Sequence, residues 1–135
     1  MTMKKYLILI ILAAAVFAAC KKTAFEPIGP TAVRVLNLSN VTMNSVTVNT
    51  YDSTFNYGTI QAGDTTDYHI FDRAYVIANI SAVINGLTFK TDSANYVWKN
   101  YVGKVKITYH VWISNEANRK LGMELIDYDA PLEKK

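Results

Sequence analysis

The feature that most constrains the fold is a succession of short β-branched and aromatic segments, separated by turn residues, from residue 32 onward. Valine, isoleucine, threonine and tyrosine dominate these segments, and such residues suit a pleated, half-buried surface. No segment after Cys20 keeps a helical period for three turns. The predicted strands are Val33–Leu38, Ser45–Tyr51, Phe55–Ile60, Thr66–Phe71, Tyr75–Ile84, Leu87–Thr91, Lys104–Ile113 and Leu121–Asp127.

This spacing predicts an all-β domain, a single antiparallel β-sandwich of the immunoglobulin-like or transthyretin-like kind. The Asn85-Gly86 dipeptide is the strongest signal for a two-residue hairpin turn. We therefore pair Ile84 with Leu87, because a slip of one residue would mix the apolar and polar faces. The same hairpin pairs Ala82 with Phe89 and Ser81 with Lys90, and the last hairpin is predicted to pair Val111 with Leu121, Tyr109 with Met123 and Ile107 with Leu125.

An apolar N-terminal run ends at the only cysteine of the chain, Cys20. Its uncharged stretch, Tyr6 to Ala19, is shorter than the roughly 20 residues that a membrane-spanning helix needs. A signal peptide has this arrangement of a basic start, a short apolar centre and small residues before the cleavage point. The sequence Phe17-Ala18-Ala19-Cys20 resembles the lipobox of a bacterial lipoprotein, with Phe17 where leucine is usual.

The lipobox resemblance implies a division of the chain into four parts. Residues 1–19 form a signal peptide that is cleaved after Ala19, and residues 20–31 form a lipidated N-terminus and tether. Acyl chains on Cys20 then bind the lipid bilayer, and more than one chain gives stable anchoring. Residues 32–129 form the β domain, and residues 130–135 form a polar tail.

The charge of the mature chain is close to neutral. Lys4 and Lys5 leave with the predicted signal peptide, so twelve basic residues face eleven acidic ones and the formal net charge is +1. A nucleic-acid surface needs a clustered basic stripe, and the sequence has none. Since lipid takes the single thiol, the predicted mature chain forms no internal disulfide.

The domain itself resembles small lipoproteins of the Bacteroidetes type. The residues that carry this resemblance are 35–39 (VLNLS) and 57–68 (YGTIQAGDTTDY). It implies a β-sandwich without catalytic residues, lipid-anchored to the outer membrane. Surface-exported members carry acidic residues just after the lipidated cysteine, whereas Lys21-Lys22-Thr23 stand here. The resemblance therefore implies a domain that faces the periplasm.

The same resemblance implies O-glycosylation at a short motif of aspartate followed by serine or threonine. Three predicted turns contain it, and the acceptor hydroxyls would be those of Ser53, Thr65 and Ser93. The alternative is ordinary turn chemistry, because aspartate and serine favour turns by bonding to nearby backbone.

Two groups of residues are candidates for ligand binding. Trp112 lies on an otherwise polar strand face with His110 and Lys106, where an exposed indole forgoes a large gain from burial. The alternative is that a loop covers Trp112 or that it stacks on Lys120. The second group is the loop that carries Tyr96, Trp98 and Tyr101, whose rings either bind a ligand or close one end of the core.

Signatures of catalysis are sparse. His69 and His110 fall in separate strands without a serine or carboxylate at a diagnostic spacing, and too few ligands remain for a zinc site. We predict no cofactor, no metal and no enzymatic activity. The expected function is a membrane-anchored structural or protein-interaction module of the cell envelope. A glycan- or small-ligand-binding lipoprotein is the alternative, and an unrecognised enzyme is a third.

Overall fold

The fold is known from a computed structural model, which describes residues 28–96 and 100–132. Every regular element in these two ranges is a strand, so the prediction of an all-β domain is confirmed. The predicted signal peptide, Cys20 and most of the tether lie outside the described residues. The strands are β1 (Thr31–Asn37), β2 (Met43–Asn49), β3 (Thr54–Ile60), β4 (His69–Phe71), β5 (Asn79–Ile84), β6 (Leu87–Lys90), β7 (Val105–Asn115) and β8 (Lys120–Pro131).

The eight strands follow the order β3-β2-β5-β6-β8-β7-β1-β4. The prediction of a wholly antiparallel arrangement is wrong, because β1 runs parallel to β7 over six residue pairs, from Ala32 and Lys106 to Asn37 and Val111. A parallel pair needs a long connection between its strands, and here five other strands supply it. The described pairing supports an all-β domain without singling out the immunoglobulin or transthyretin type.

The backbone pairing between β6 and β8 is short. One residue pair, Lys90 with Lys120, links these strands, whereas β5 and β6 pair over four residues and β7 and β8 over most of their length. The sheet therefore consists of two four-stranded sections that meet at a single bridge. Thr31 and Pro131 extend the strands slightly beyond the predicted domain limits of 32–129.

The core is a single cluster to which both sections contribute, and most of its side chains are aliphatic. Its largest buried side chain, Tyr109, donates its hydroxyl hydrogen bond to the backbone oxygen of Tyr75. Burial raises the pKa of Tyr109, since the phenolate would be desolvated there. Other fully buried core residues are Val33, Val35, Met43, Val46, Val48, Phe71, Ile80, Val102, Ile107 and Val111.

The register predicted for the first hairpin is confirmed at every pair, including Ile84 with Leu87 and Ala82 with Phe89. Asn85 and Gly86 both have positive φ, 50° and 76°, as a tight two-residue turn between twisted strands requires. Leu87 remains half exposed, so the hairpin end projects beyond the core.

The register predicted for the last hairpin is wrong, by two residues at Val111 and Tyr109 and by three at Ile107, which pairs with Tyr128 beyond an irregularity in the ladder. The structure pairs Val111 with Met123 and Tyr109 with Leu125. Both strands continue further than predicted, and a short turn closed by a bond from the Arg119 amide to the Glu116 oxygen joins them. The even shift at Val111 and Tyr109 keeps their partners on the predicted face, so the alternation of the strands gives no signal against it there.

Asn37, at the end of β1, is a polar side chain with no solvent exposure. Its Nδ2 group donates to the backbone oxygens of Val41, Ile60 and Gln61 at 2.8, 3.2 and 3.1 Å. Its Oδ1 atom accepts from the amide and the hydroxyl of Ser39. One amide thus connects the segments that follow β1 and β3, and buried polar groups with this many partners specify a single arrangement.

Candidate functional site

The predicted Trp112 surface does not converge on one site. Lys106, His110 and Trp112 share a face of β7, but a strand rises about 3.3 Å per residue, so Lys106 lies about 20 Å from Trp112. The Lys106 ammonium lies 5.7 Å from the centre of the Tyr68 ring. His110 is half-buried and stands opposite Glu124 in the register of β7 and β8. Lys106 is therefore too far from Trp112 to share a site with it, and His110 lies between the two on the same face of β7.

Trp112 is half-buried and rests on Gly122 of the adjacent strand. A Cβ atom at Gly122 would overlap the indole, so the ring occupies the space that any side chain would fill. The Lys120 ammonium is directed to Asp92, with which it forms a salt bridge. A groove of about 400 Å³ lies beside the ring, lined by Ile77, Thr91, Asp92, Ser93, Ala94 and Met123 among others.

Substitution of Gly122 with alanine tests the packing of the Trp112 indole on this glycine. The Gly122 backbone is not in the left-handed region, so the added methyl acts only through its clash with the indole. We expect a loss of about 1–3 kcal/mol in the free energy of unfolding, the usual cost of forcing a side chain from its place. Intrinsic fluorescence in a Trp98→Phe background should report the displaced Trp112 ring.

The control for Gly122→Ala is the same substitution in a Trp112→Ala background, where the methyl meets empty space. We expect the substitution to be nearly neutral there, which gives a coupling energy of about 1–3 kcal/mol between the two positions. Equal destabilisation in both backgrounds would show that the packing of the Trp112 indole does not require glycine at position 122.

The predicted aromatic loop contributes to a second and more apolar site. Trp98 lies outside the described residues, whereas Tyr96 and Tyr101 lie beside Tyr75 at ring-centroid distances of 4.8 and 4.9 Å. Tyr51, from the turn between β2 and β3, approaches Tyr96 to 5.3 Å. These four rings surround a groove of about 640 Å³, which we call the tyrosine groove; its other lining residues are Arg73, Ser93, Ala94 and Asn95.

Hydrogen bonds and burial fix the floor of the tyrosine groove. Tyr75 is almost fully buried, and desolvation, reinforced by its hydrogen bond with Tyr101, raises its pKa to about 12. The Tyr96 hydroxyl donates to the backbone oxygen of Asn49 at 3.0 Å and accepts from the Asn79 amide. Burial also raises the pKa of Tyr96. Tyr75 and Tyr96 therefore act as neutral hydrogen-bonding groups at neutral pH.

An ion pair forms the rim of the tyrosine groove. The Arg73 guanidinium donates to Asp52 Oδ1 at 2.8 Å and lies 5.8 Å from the centre of the Tyr101 ring. The hydrogen bond to Asp52 raises the pKa of Arg73. The pair offers a ligand both donors and acceptors beside an aromatic surface, a combination that fixes the orientation of small ligands.

Tyr51 and Arg73 were missed by the sequence predictions. Tyr51 was predicted as the last residue of a strand, and Arg73 fell between two predicted strands. Their positions in the groove depend on how three separate connections meet in the folded domain. The available signal is Tyr51 itself, a large aromatic residue beside an Asp-Ser pair that is typical of a turn.

A third groove lies where the two edge strands β3 and β4 face each other. They form no backbone ladder with one another. The His69 ring is stacked on Phe55 at 3.6 Å, and the Tyr57 hydroxyl donates to the Val33 oxygen at 2.7 Å, so side chains alone close this seam. The seam groove measures about 480 Å³, and the carboxylates of Asp64 and Asp67 also line it.

The three predicted glycosylation hydroxyls have different surroundings. Ser53 Oγ is buried and has no hydrogen-bond partner, so this arrangement has no room for a glycan there. Thr65 and Ser93 are exposed, at the seam groove and the tyrosine groove respectively. Of the three positions, these two fit a modified hydroxyl sterically.

Residues 28–96 and 100–132 contain no cluster of three or more His, Cys, Asp or Glu side chains that could hold a metal ion. His69 is stacked on Phe55 and lies edge-on to Phe71, and His110 lines none of the three grooves above. No helix in the same ranges is long and apolar enough to cross a membrane.

Comparison with known proteins supports the fold alone. No protein family matches the chain, and no curated protein does so either. Among solved structures, the chain is similar to the NMR structure of a protein from Eubacterium rectale, with a TM-score of 0.54 and 12% sequence identity. The match covers 75% of this chain and 92% of that one. At this identity, the similarity concerns the arrangement of strands in an all-β domain.

Proposed function

We propose that this chain is a lipoprotein, anchored to the outer membrane through acylated Cys20, whose β domain is a non-catalytic structural or protein-interaction module. The lipobox-like sequence before Cys20 supports the anchor, and Lys21 and Lys22 support a domain that faces the periplasm. We also propose that the domain is a two-layer β-sandwich. The single residue pair between β6 and β8 supports this finer fold, because it separates two four-stranded sections around one core.

The observation that carries the interaction proposal is the unpaired backbone edge of β3, which contacts β4 through side chains alone. The Thr50 amide donates to the Ser53 oxygen, which closes the turn between β2 and β3. In an antiparallel pair, hydrogen-bonded and non-hydrogen-bonded residue pairs alternate from such a turn. The backbone groups of Phe55 therefore face β2, whereas those of Thr54 and Asn56 point away from it. An edge of this kind accepts an additional strand from a partner.

The composition of the edge favours such a partner. Natural edge strands are usually protected by charged residues or proline, and β3 has neither. Asp64 and Asp67 line the seam groove, and neither forms a salt bridge within the described part of the chain. The partner that fits is an extended peptide segment with basic side chains, since its backbone would pair with β3 and its charges would face the carboxylates.

Site-specific photocrosslinking in the native host tests this interaction. A benzophenone side chain at the exposed position of Asn56 is expected to give one discrete protein adduct. The same group at Glu116, in the exposed turn between β7 and β8, is the matched control and should not give it. A variant with Asp64→Asn and Asp67→Asn should lose most of the adduct. Equal adducts at both positions, or an adduct indifferent to the carboxylates, would contradict the proposal.

The second candidate function is ligand binding at the tyrosine groove, and the clustering of four tyrosines beside an ion pair favours it. Tyr96 and Tyr101 supply apolar ring surface, while Arg73, which Asp52 holds by a hydrogen bond, supplies a polar group at the rim. Binding sites for small molecules commonly combine an apolar concavity with a few fixed polar groups. The ligand in this proposal is a glycan or another small molecule of the envelope.

A further inference from the structure

Tyr51 has an unusual backbone conformation for an aromatic residue. Its φ is +77°, in the left-handed region that a bulky side chain occupies at a cost. It is the first of the two central residues of the turn between Thr50 and Ser53, where glycine or asparagine is the usual residue at positive φ. A smaller residue would therefore satisfy this turn with less strain than tyrosine does.

Tyr51 is also exposed when its size would favour burial. Its relative exposure is 67%, the highest among the exposed large hydrophobic residues of the described ranges. The backbone is held in place by a hydrogen bond from the Tyr51 amide to Asn49 Oδ1 at 2.9 Å. Strained conformations that surrounding structure maintains occur preferentially at functional sites. The unfavourable backbone conformation and the exposed aromatic ring thus occur in the same residue, and packing in the core does not offset either of them.

The position of the Tyr51 ring in the tyrosine groove explains why a strained and exposed tyrosine stands at this turn. Tyr51 lies edge-on to Tyr75 at 6.5 Å and tilted to Tyr96 at 5.3 Å, so it forms one wall of the tyrosine groove. Asp52, the next residue in the turn, holds Arg73 at the rim. The same turn thus supplies one aromatic wall of the groove and the carboxylate that holds Arg73, a lining residue, at the rim.

We propose that Tyr51 is a ligand-contacting residue of the tyrosine groove and that the ligand is a neutral pyranose sugar. One apolar face of the sugar ring lies against Tyr51, and neighbouring hydroxyls bind Asp52 and Arg73. A carboxylate accepts hydrogen bonds and a guanidinium donates them, so the pair suits a vicinal diol. The ion pair also cancels its own charge, which favours an uncharged ligand. This inference rests on the second candidate function.

The test compares stability and binding in the full chain in detergent. Asparagine tolerates positive φ, so Tyr51→Asn is expected not to lower the melting temperature. The same variant is expected to bind at least about tenfold more weakly to the one of four probes that the wild type binds best. The probes are the methyl glycosides of glucose, galactose, mannose and N-acetylglucosamine, titrated by calorimetry.

Two further variants separate the roles of the ring. Tyr51→Phe keeps the aromatic face and should keep the binding. Tyr128→Asn removes another exposed tyrosine, outside the groove, and should leave sugar affinity unchanged.

Each outcome of the test is decisive. A wild-type protein that binds none of the four glycosides overturns both the pyranose assignment and the sugar-binding form of the candidate function. Binding that survives Tyr51→Asn overturns the role of Tyr51 and leaves sugar binding at the groove in place. A melting temperature that falls in Tyr51→Asn would show that the ring serves the fold, which contradicts the inference. Weaker binding with undiminished stability supports it.

Discussion

Replacing Asn37 with aspartate is expected to unfold the domain at neutral pH. The Asn37 Nδ2 group donates to three backbone oxygens and has no access to solvent. A carboxylate there would face those oxygens without a proton to share. Each buried polar group left without a partner costs about 1–3 kcal/mol, and a charged one costs more. The whole stability of a small domain is about 5–15 kcal/mol.

Acid should partly restore the Asn37→Asp variant. The surrounding oxygens favour the protonated carboxyl, so its pKa in the folded state would lie above the ordinary value for aspartate. The variant is then least stable above that raised pKa and regains stability as pH falls through it. Urea unfolding followed by circular dichroism, at neutral and acidic pH, measures this.

The matched control for Asn37→Asp is Asn118→Asp, in the exposed turn between β7 and β8. It should change the free energy of unfolding by no more than about 0.5 kcal/mol, as surface substitutions usually do. An Asn37→Asp variant as stable as the wild type at neutral pH would contradict the role assigned to this amide.

Substitution of Cys20 with alanine is expected to remove the protein from the outer membrane. Each buried methylene of an acyl chain contributes about 0.8 kcal/mol, and stable anchoring takes more than one chain. Without the thiol, no lipid can be attached, so the whole of that energy is lost. Incorporation of a labelled fatty acid, together with separation of the membranes by density, measures both consequences.

The matched control for Cys20→Ala is Thr23→Ala, three residues further along the chain. It should retain both the fatty-acid label and the outer-membrane position. A Cys20→Ala variant that still incorporates the label, or still sediments with the outer membrane, would refute the proposed anchor.

The local features of the fold could be predicted from the sequence, and the long-range ones could not. Asn85-Gly86 fixes the turn of the first hairpin, and the alternation around it excludes a slip of one residue. The last hairpin lacks such a turn signal, so its strand alternation is equally compatible with a shift of two. The parallel pairing of β1 with β7 joins residues more than 70 positions apart, for which no local pattern exists.

The same limit applies to the candidate site. Tyr96 and Tyr101 stand out in the sequence because neither strand nor helix requires aromatic residues at their spacing. Their neighbours Tyr51 and Arg73 come from other connections and reach the groove only in the folded domain. The sequence predicts the face of β7 on which Trp112 lies. The packing of its ring on Gly122 depends on the register of β7 and β8, which the alternation leaves undetermined.

The most direct test of the lipid-anchored domain is the mass of the mature N-terminus in protein purified from its native host. We predict a chain that begins at Cys20 and carries the added mass of a diacylglycerol group and an N-linked acyl chain. A mature chain that retains residues 1–19, or one that begins at Cys20 without added lipid mass, would contradict the account.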